Sequence, residues 1–385
     1  MNTFCGRSPL LSDYSRHASD SSFIKRLGFW HKIHIDIYLL VALVALAVAG
    51  LVVLFSASGG DWSSVYRQGL RLLIGFVAMA IVAQVDPRFF QQWSGSVYLI
   101  GLLLLVAVLV LGAGAKGAQR WLVIPGVFRF QPAEIMKIVL PIVMAWYLSR
   151  QALPPRLLNI AIALVLLFIP VILILEQPDL GTSILIAASG IFVIFLAGLS
   201  WKLITTAVVV AIGSLPAMWL FVLREYQQQR VLTFINPESD PLGAGWNIIQ
   251  SKTAIGSGGL TGKGYMLGTQ SQLDFLPESH TDFIIAVLSE EFGFIGVMLL
   301  LSIYVMIIAR GLIISLQARD NFCRLLAGSL TLTFFIYVFV NIGMVSGLLP
   351  VVGVPLPLVS YGGTSIVTLL ASFGILMSIS THRRV

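Results

Sequence analysis

Ten mostly apolar runs recur along the chain, at about 36–56, 70–85, 96–113, 132–149, 157–175, 183–199, 202–223, 283–309, 325–349 and 364–380. Each approaches the roughly 20 residues that a helix needs to cross the hydrocarbon core of a bilayer. The runs are continuous rather than alternating, so they read as helices and not as strands of a barrel. The pattern predicts an all-α, polytopic membrane protein of about ten transmembrane helices, with a long outer loop, 224–281, between the seventh and the eighth. Residues 1–30 are polar and mixed in charge, with no apolar stretch ahead of a cleavage site, and read as a disordered cytoplasmic tail. Residues 31–385 read as a single transmembrane domain, without a convincing internal repeat or a separate soluble core.

Composition agrees. Of 385 residues, 57% are hydrophobic and only 11% charged, whereas a soluble domain carries about a quarter charged residues. Lysine and arginine set the orientation. With both termini inside, the inner segments hold 14 of the 24 basic residues and five acids, and the outer segments hold the other 10 with 12 acids. The net charge of +7 is thus a topology signal of an inner-membrane protein and calls for no nucleic acid. Cys5 and Cys323, both on the inner side, read as free reduced thiols.

The outer segments depart from the charge rule. Lys116, Arg120 and Arg129 fall in 114–131, and Arg224, Arg230, Lys252 and Lys263 in the long loop, a placement that suits anion binding. Glu290 and Glu291 interrupt the eighth run near its outer third, and intramembrane acids usually face a polar cavity. Either that long helix projects above the membrane or its first two turns line such a cavity, and the cavity is the favoured expectation.

Five stretches carry candidate chemistry. In the first, Arg120 beside Trp121 offers a guanidinium that can grip a phosphate, with an indole at the interface. Just beyond, Glu134 and Lys137 share a helix face, as an internal ion pair, a site, or both. In the second, Glu176–Ser183, Pro178 and Gly181 break the helix. Asp179 reads first as a turn cap and second as a cavity residue. The third, Gly256–Gly264, resembles a phosphate loop only superficially, because Ser257 and Gly264 spoil the spacing. No nucleotide cofactor is expected, and loop punctuation is the plainer reading, although Lys263 among flexible glycines is placed to touch a substrate.

The fourth, Gln272–Phe283, contains Glu278, His280, Thr281 and Asp282. Asp282 is expected to open the eighth helix as its N-cap. An ionised carboxylate facing a cavity there would take a proton from a sugar hydroxyl or hold a divalent cation. The fifth, Asn341–Ser365, is uncharged yet dense in Gly, Pro and Ser, so a broken or re-entrant stretch is predicted, with Ser360 among the groups shaping a groove. No His/Cys spacing indicates zinc.

These blocks, in this order from about residue 30 to the C-terminus, resemble the SEDS family of shape, elongation, division and sporulation proteins. The resemblance implies a peptidoglycan glycosyltransferase that polymerises lipid II, a disaccharide-pentapeptide on undecaprenyl pyrophosphate, at the outer face of the bacterial inner membrane. It implies Asp282 as the essential carboxylate, as base or as ligand of a divalent cation such as Mg or Mn. Arg120, Lys116, Lys137 and Arg230 become candidates to neutralise the lipid pyrophosphate, and apolar grooves would hold its tail among the membrane lipids. The implied partner is a class B penicillin-binding protein, which for an elongation member is penicillin-binding protein 2. Two other readings, a lipid II flippase and a non-catalytic scaffold for that partner, predict respectively lipid movement without polymer and tolerance of Asp282→Asn.

Overall fold

The computed structural model describes residues 34–115, 118–124, 128–221, 223, 225–240, 243–273, 275–276 and 278–382. The expected tail 1–30 with Cys5, as well as Lys116, Arg224, Arg383 and Arg384, lie outside the described residues.

Each of the ten apolar runs contains a helix. In chain order the helices are α1 (Ile37–Ala57), α2 (Trp62–Ala83), α3 (Pro87–Leu111), α4 (Pro132–Ser149), α5 (Leu157–Glu176), α6 (Leu180–Leu196) and α7 (Trp201–Phe221). Three shorter helices follow, α8 (Glu225–Ile235), α9 (Ala244–Ser257) and α10 (Thr269–Gln272), and then α11 (Ile284–Leu316), α12 (Asn321–Val345) and α13 (Thr364–Thr381). Among the described residues, nine helices are long and apolar enough to span a bilayer, and α6, with 17 residues, is shorter.

Capping extends two helices beyond their apolar runs. The Asp61 carboxylate accepts from the amides of Ser63 and Ser64 at 2.9 and 3.0 Å, so α2 starts at Trp62. Asp86 accepts from Arg88 N at 2.8 Å ahead of Pro87, and α3 starts there. Hydropathy marks the lipid-embedded stretch; caps mark the helix ends.

One element departs from the all-helical reading. Residues expected as loop form a three-stranded antiparallel sheet, β1 (Ala113–Ala115), β2 (Ala118–Ile124) and β3 (Phe128–Phe130), with Leu122 opposite Phe130. The β-branched and aromatic stretch Trp121–Ile124 favours a strand. The sheet positions Arg120 and Trp121 above the start of α4.

In the bundle, α2 packs on α13, α11 on α12 and α1, and α6 on α12 and α4. α4 sits inside these contacts and buries Glu134 and Lys137 together with Ala133, Met136 and Leu140. α7 buries none of its residues.

The expectation for Glu290 and Glu291 is corrected. They are fully buried, yet they face protein rather than an open cavity. α11 breaks at Gly293, whose φ of 64° and ψ of −163° are accessible to glycine alone at little cost. The loop after α9 inserts into the break. Lys263 N and Gly264 N donate to the carbonyls of Glu290 and Glu291 at 2.9 and 3.0 Å, and Phe294 N and Ile295 N donate back to Gly259 and Leu260 at 2.9 and 3.1 Å. The Lys263 ammonium pairs with Glu290 at 2.7 Å, and Ser56 donates to Glu291. The glycines read as punctuation thus serve close backbone packing.

The uncharged segment 346–363 runs non-helically between α12 and α13, as predicted for a broken stretch. Buried backbone needs partners, and polar side chains from four helices supply them. Asn341 donates to Val354 O at 2.8 Å, Tyr304 to Pro357 O at 2.7 Å, Gln68 to Ser360 O at 3.0 Å and Arg230 to Val351 O at 3.2 Å. Gly181 lies so close that a Cβ there would stand 2.8 Å from Val352 O.

Candidate active site

A cavity of about 280 Å³ opens at the end of the bundle where α4, α6, α11 and α13 begin. α4 supplies Glu134 and Lys137, both buried, with Nζ 2.6 Å from Oε1. The second oxygen of Glu134 accepts from Thr368 at 3.3 Å, and the ammonium lies 4.9 Å from the centre of the Tyr337 ring. The pair is therefore both a tether of the helix and a wall of the cavity.

Asp179 combines the two roles considered for it. It caps α6, its Oδ1 accepting from Thr182 N at 3.2 Å, and it lines the cavity. Its Oδ2 accepts from Gln131 at 2.8 Å and lies 3.9 Å from the Arg120 guanidinium. Arg120 also donates to the carbonyls of Gln177 and Pro178, which tie β2 to the turn before α6.

Asp282 is half-buried and lines the same cavity, in the turn ahead of α11. The expected N-cap role is corrected: Phe283 holds that position, and no side chain caps the helix there. The turn is closed instead by backbone bonds to Glu278 O. The fully buried Asn341 donates from one amide nitrogen to Asp282 O at 2.9 Å and to Val354 O at 2.8 Å. It thereby fixes Asp282 relative to the wall formed by Gly353–Pro355. Asp282 stands close enough to that wall that a Cβ on Gly353 would lie 3.5 Å from its Oδ2.

On the opposite wall, Tyr361 receives the Arg71 guanidinium 4.6 Å from its ring centre, and Arg71 also donates to Gly362 O at 3.0 Å. Burial pushes the Tyr361 phenol up, but hydrogen bonds and charge from Arg67 and Arg71 outweigh this and hold it below the usual tyrosine range.

Of the residues singled out in the sequence, Arg120, Trp121, Glu134, Lys137, Asp179, Glu278, Thr281 and Asp282 converge on this cavity. Four others do not line it. Lys263 is paired with Glu290 at the break in α11, and Arg230 braces the 346–363 segment from behind. Ser360 is buried within that segment, its hydroxyl accepting from Leu356 N at 2.8 Å. His280 is exposed, and its carbonyl accepts from Tyr361 N at 2.9 Å. Gln131, Tyr337, Tyr361 and Arg71 were missed. Arg71 had a readable signal, a charge inside a predicted span.

Among the described residues, no three His, Cys, Asp or Glu side chains come together to hold a metal. Asp282 offers a single carboxylate, a donor set that suits Mg²⁺ or Mn²⁺ only when phosphate oxygens share the ion.

Fold and site together define a multi-pass membrane protein with an ionisable cavity at one end of its bundle. The chain belongs to the FtsW/RodA/SpoVE family of cell cycle proteins, whose profile matches residues 35–385. It is 55% identical over 356 residues to the peptidoglycan glycosyltransferase MrdB of Escherichia coli strain K12, covering 92% of this chain and 96% of that protein. Its fold matches a chain from a peptidoglycan synthase complex that coordinates polymerization and crosslinking, with a TM-score of 0.80, 31% identity, and coverage of 90% of this chain and 97% of the other. It also matches the rod shape determining protein RodA of Thermus thermophilus, with a TM-score of 0.68, 29% identity, and coverage of 90% and 96%.

Proposed function

We propose that this cavity polymerises lipid II into glycan strands at the outer face of the bacterial inner membrane during cell elongation. The chain is a peptidoglycan glycosyltransferase. The observation that carries the reading is Asp282, half-buried at the mouth of α11 in the same cavity as Lys137 and Arg120. The acceptor sugar hydroxyl attacks the anomeric carbon of the donor, Asp282 takes the hydroxyl proton, and the bond from that carbon to the diphosphate oxygen breaks. The negative charge left on the lipid diphosphate is met by Lys137 and Arg120, and such preorganised electrostatics are often the largest catalytic term. The start of α11 adds its dipole, which favours the ionised carboxylate. Asp282 is the carboxylate this chain would offer a divalent cation, which would supply further charge neutralisation.

At about 280 Å³ the cavity is at the small end of ligand pockets. It suits the diphosphate and the reacting ring, while the undecaprenyl tail lies along exposed apolar helix faces such as that of α7. Residues 31–385 act as one membrane domain with residues 1–30 as its tail, and the charge bias supports cytoplasmic termini and a periplasmic 224–281 loop. The match to a complex that coordinates polymerization and crosslinking supports a class B penicillin-binding protein as partner, penicillin-binding protein 2 for an elongation enzyme.

The test is polymerisation of lipid II by the purified chain, with and without that partner. Glycan strands from wild type and none from a folded Asp282→Ala variant are expected. Lipid II crossing a bilayer with no polymer formed would overturn the reading in favour of transport.

A further inference from the structure

At the end of the bundle opposite the proposed active site lies a second cavity, of about 420 Å³, larger than the first. α11 and α13 run from one cavity to the other, and α3 and α12 begin at this second one. Two guanidiniums face it, Arg88 in the first turn of α3 and Arg319 in the turn before α12. Among the described residues, neither is held by an acid or a hydrogen bond through its side chain. The neighbouring Arg310 is different: its guanidinium is bidentate on the buried Asp36, at 2.6 and 3.1 Å, and Ser380 donates to the same carboxylate at 3.0 Å. The framework charges at this end are thus satisfied separately, and Arg88 and Arg319 are not needed for them.

Two acids also line the cavity. Asp86 is committed to capping α3 through Arg88 N at 2.8 Å, while Asp320, just before α12, makes no capping bond with its side chain. The two carboxylates balance the two guanidiniums in formal charge, but among the described residues no ion pair joins them, so both guanidiniums keep their donors for a ligand. The remaining wall is His34 stacked on His382, with centroids 3.8 Å apart and planes within 6°, beside the apolar Phe322 and Ile379. The same end of α3 carries Phe89 and Trp93, half-exposed with ring centroids 5.9 Å apart, as aromatic residues at a bilayer boundary are.

We propose that this cavity binds the phosphodiester headgroup of an anionic phospholipid, with Arg88 and Arg319 as the phosphate ligands and Phe322 and Ile379 against the first carbons of the lipid. Three features select a lipid over a soluble phosphate. The cavity sits where transmembrane helices begin and end, its walls mix guanidinium with apolar side chains, and it lies on the face that carries the basic charge bias. Basic pockets between helices on that face are suited to anionic headgroups. The proposal stands independently of the reaction at the other end of the bundle.

The test uses the full chain in nanodiscs of phosphatidylcholine doped with phosphatidylglycerol, and reads the ratio of the two lipids retained on the protein by native mass spectrometry. Wild type is expected to retain phosphatidylglycerol in excess of its bulk fraction. The Arg88→Gln, Arg319→Gln double variant should lose that excess by about fivefold per arginine, the factor expected for one interfacial basic residue. The control Arg156→Gln, Lys202→Gln removes two exposed charges outside the cavity, at the adjoining starts of α5 and α7, and should keep the excess. An equal loss in the control would mean diffuse surface attraction and overturn the site. No excess in wild type would also overturn it. Competition by millimolar glycerol 3-phosphate in solution would overturn the lipid as the source of the phosphate.

Discussion

Two lysine–glutamate pairs are drawn into the bundle at similar distances, 2.6 Å for Lys137–Glu134 and 2.7 Å for Lys263–Glu290. Their surroundings differ. Around Glu290, Thr269 donates at 3.1 Å, the amide of Gln270 donates at 3.1 Å, and the inserted glycine loop covers the broken helix. Glu134 also receives a hydroxyl, from Thr368, but its lysine stays on the wall of an open cavity beside Asp179 and Asp282. The same pair chemistry is thus a staple in one place and a charged surface offered to a ligand in the other. What separates the two is what each lysine faces and not its exposure, since the Lys263 side chain is the more exposed at 29% against 10%: only Lys137 lines the cavity that holds Asp282.

The largest effect is expected at the carboxylate that shares the open cavity. Asp282→Asn should lower lipid II polymerisation by about 10²–10⁴-fold, the range for loss of a general base. Its melting temperature should stay close to wild type, and retained polymerisation would remove Asp282 from the chemistry. Next, Lys137→Met should cut the rate per folded molecule by about 10²-fold or more, as loss of a preorganised charge does. Lys263→Met should leave that rate within a few-fold. Equal losses of rate in the two lysine variants would erase the distinction between the pairs.

A stability measurement tests the Lys263–Glu290 pair separately. Lys263→Met leaves the Glu290 carboxylate buried without its cation, at a cost of about 3 kcal/mol. The double variant Lys263→Met, Glu290→Gln should recover much of the loss, read as thermal unfolding in detergent. The smallest effect is expected from Asn341→Ala. It removes two hydrogen bonds from a fully buried amide, for about 1–3 kcal/mol, and frees Asp282 to move relative to Gly353. A fall in kcat larger than the change in KM would show that Asn341 positions the carboxylate.

Much of this architecture was legible along the chain. The ten apolar runs all contain helices, because the length of an apolar stretch is a local property that the bilayer reads directly. The chemistry-bearing blocks were legible as interruptions of that pattern: Arg120–Trp121, Glu134 with Lys137, Asp179 and Asp282 all stand where polar groups break apolar sequence. Other features were illegible for a shared reason. Whether the glycines of 256–264 are slack loop or tight packing depends on a break in α11 some 30 residues later, and nothing local announces that meeting. The charge of Arg71 inside a predicted span was legible, but its meeting with Tyr361, far along the chain, was not.

Which charges face water, which face lipid and which face one another was decided only when the helices packed. Asp282 and Glu290 are both acids at the same end of one helix, within nine residues of each other. One looks into a cavity and the other is sealed by a loop. Hydropathy is a sum over neighbours in sequence, and it marks where the apolar helices lie. Access and pairing are sums over neighbours in space, and the contacts of Asn341, Gln131 and the inserted glycine loop come from segments that only the folded bundle brings together.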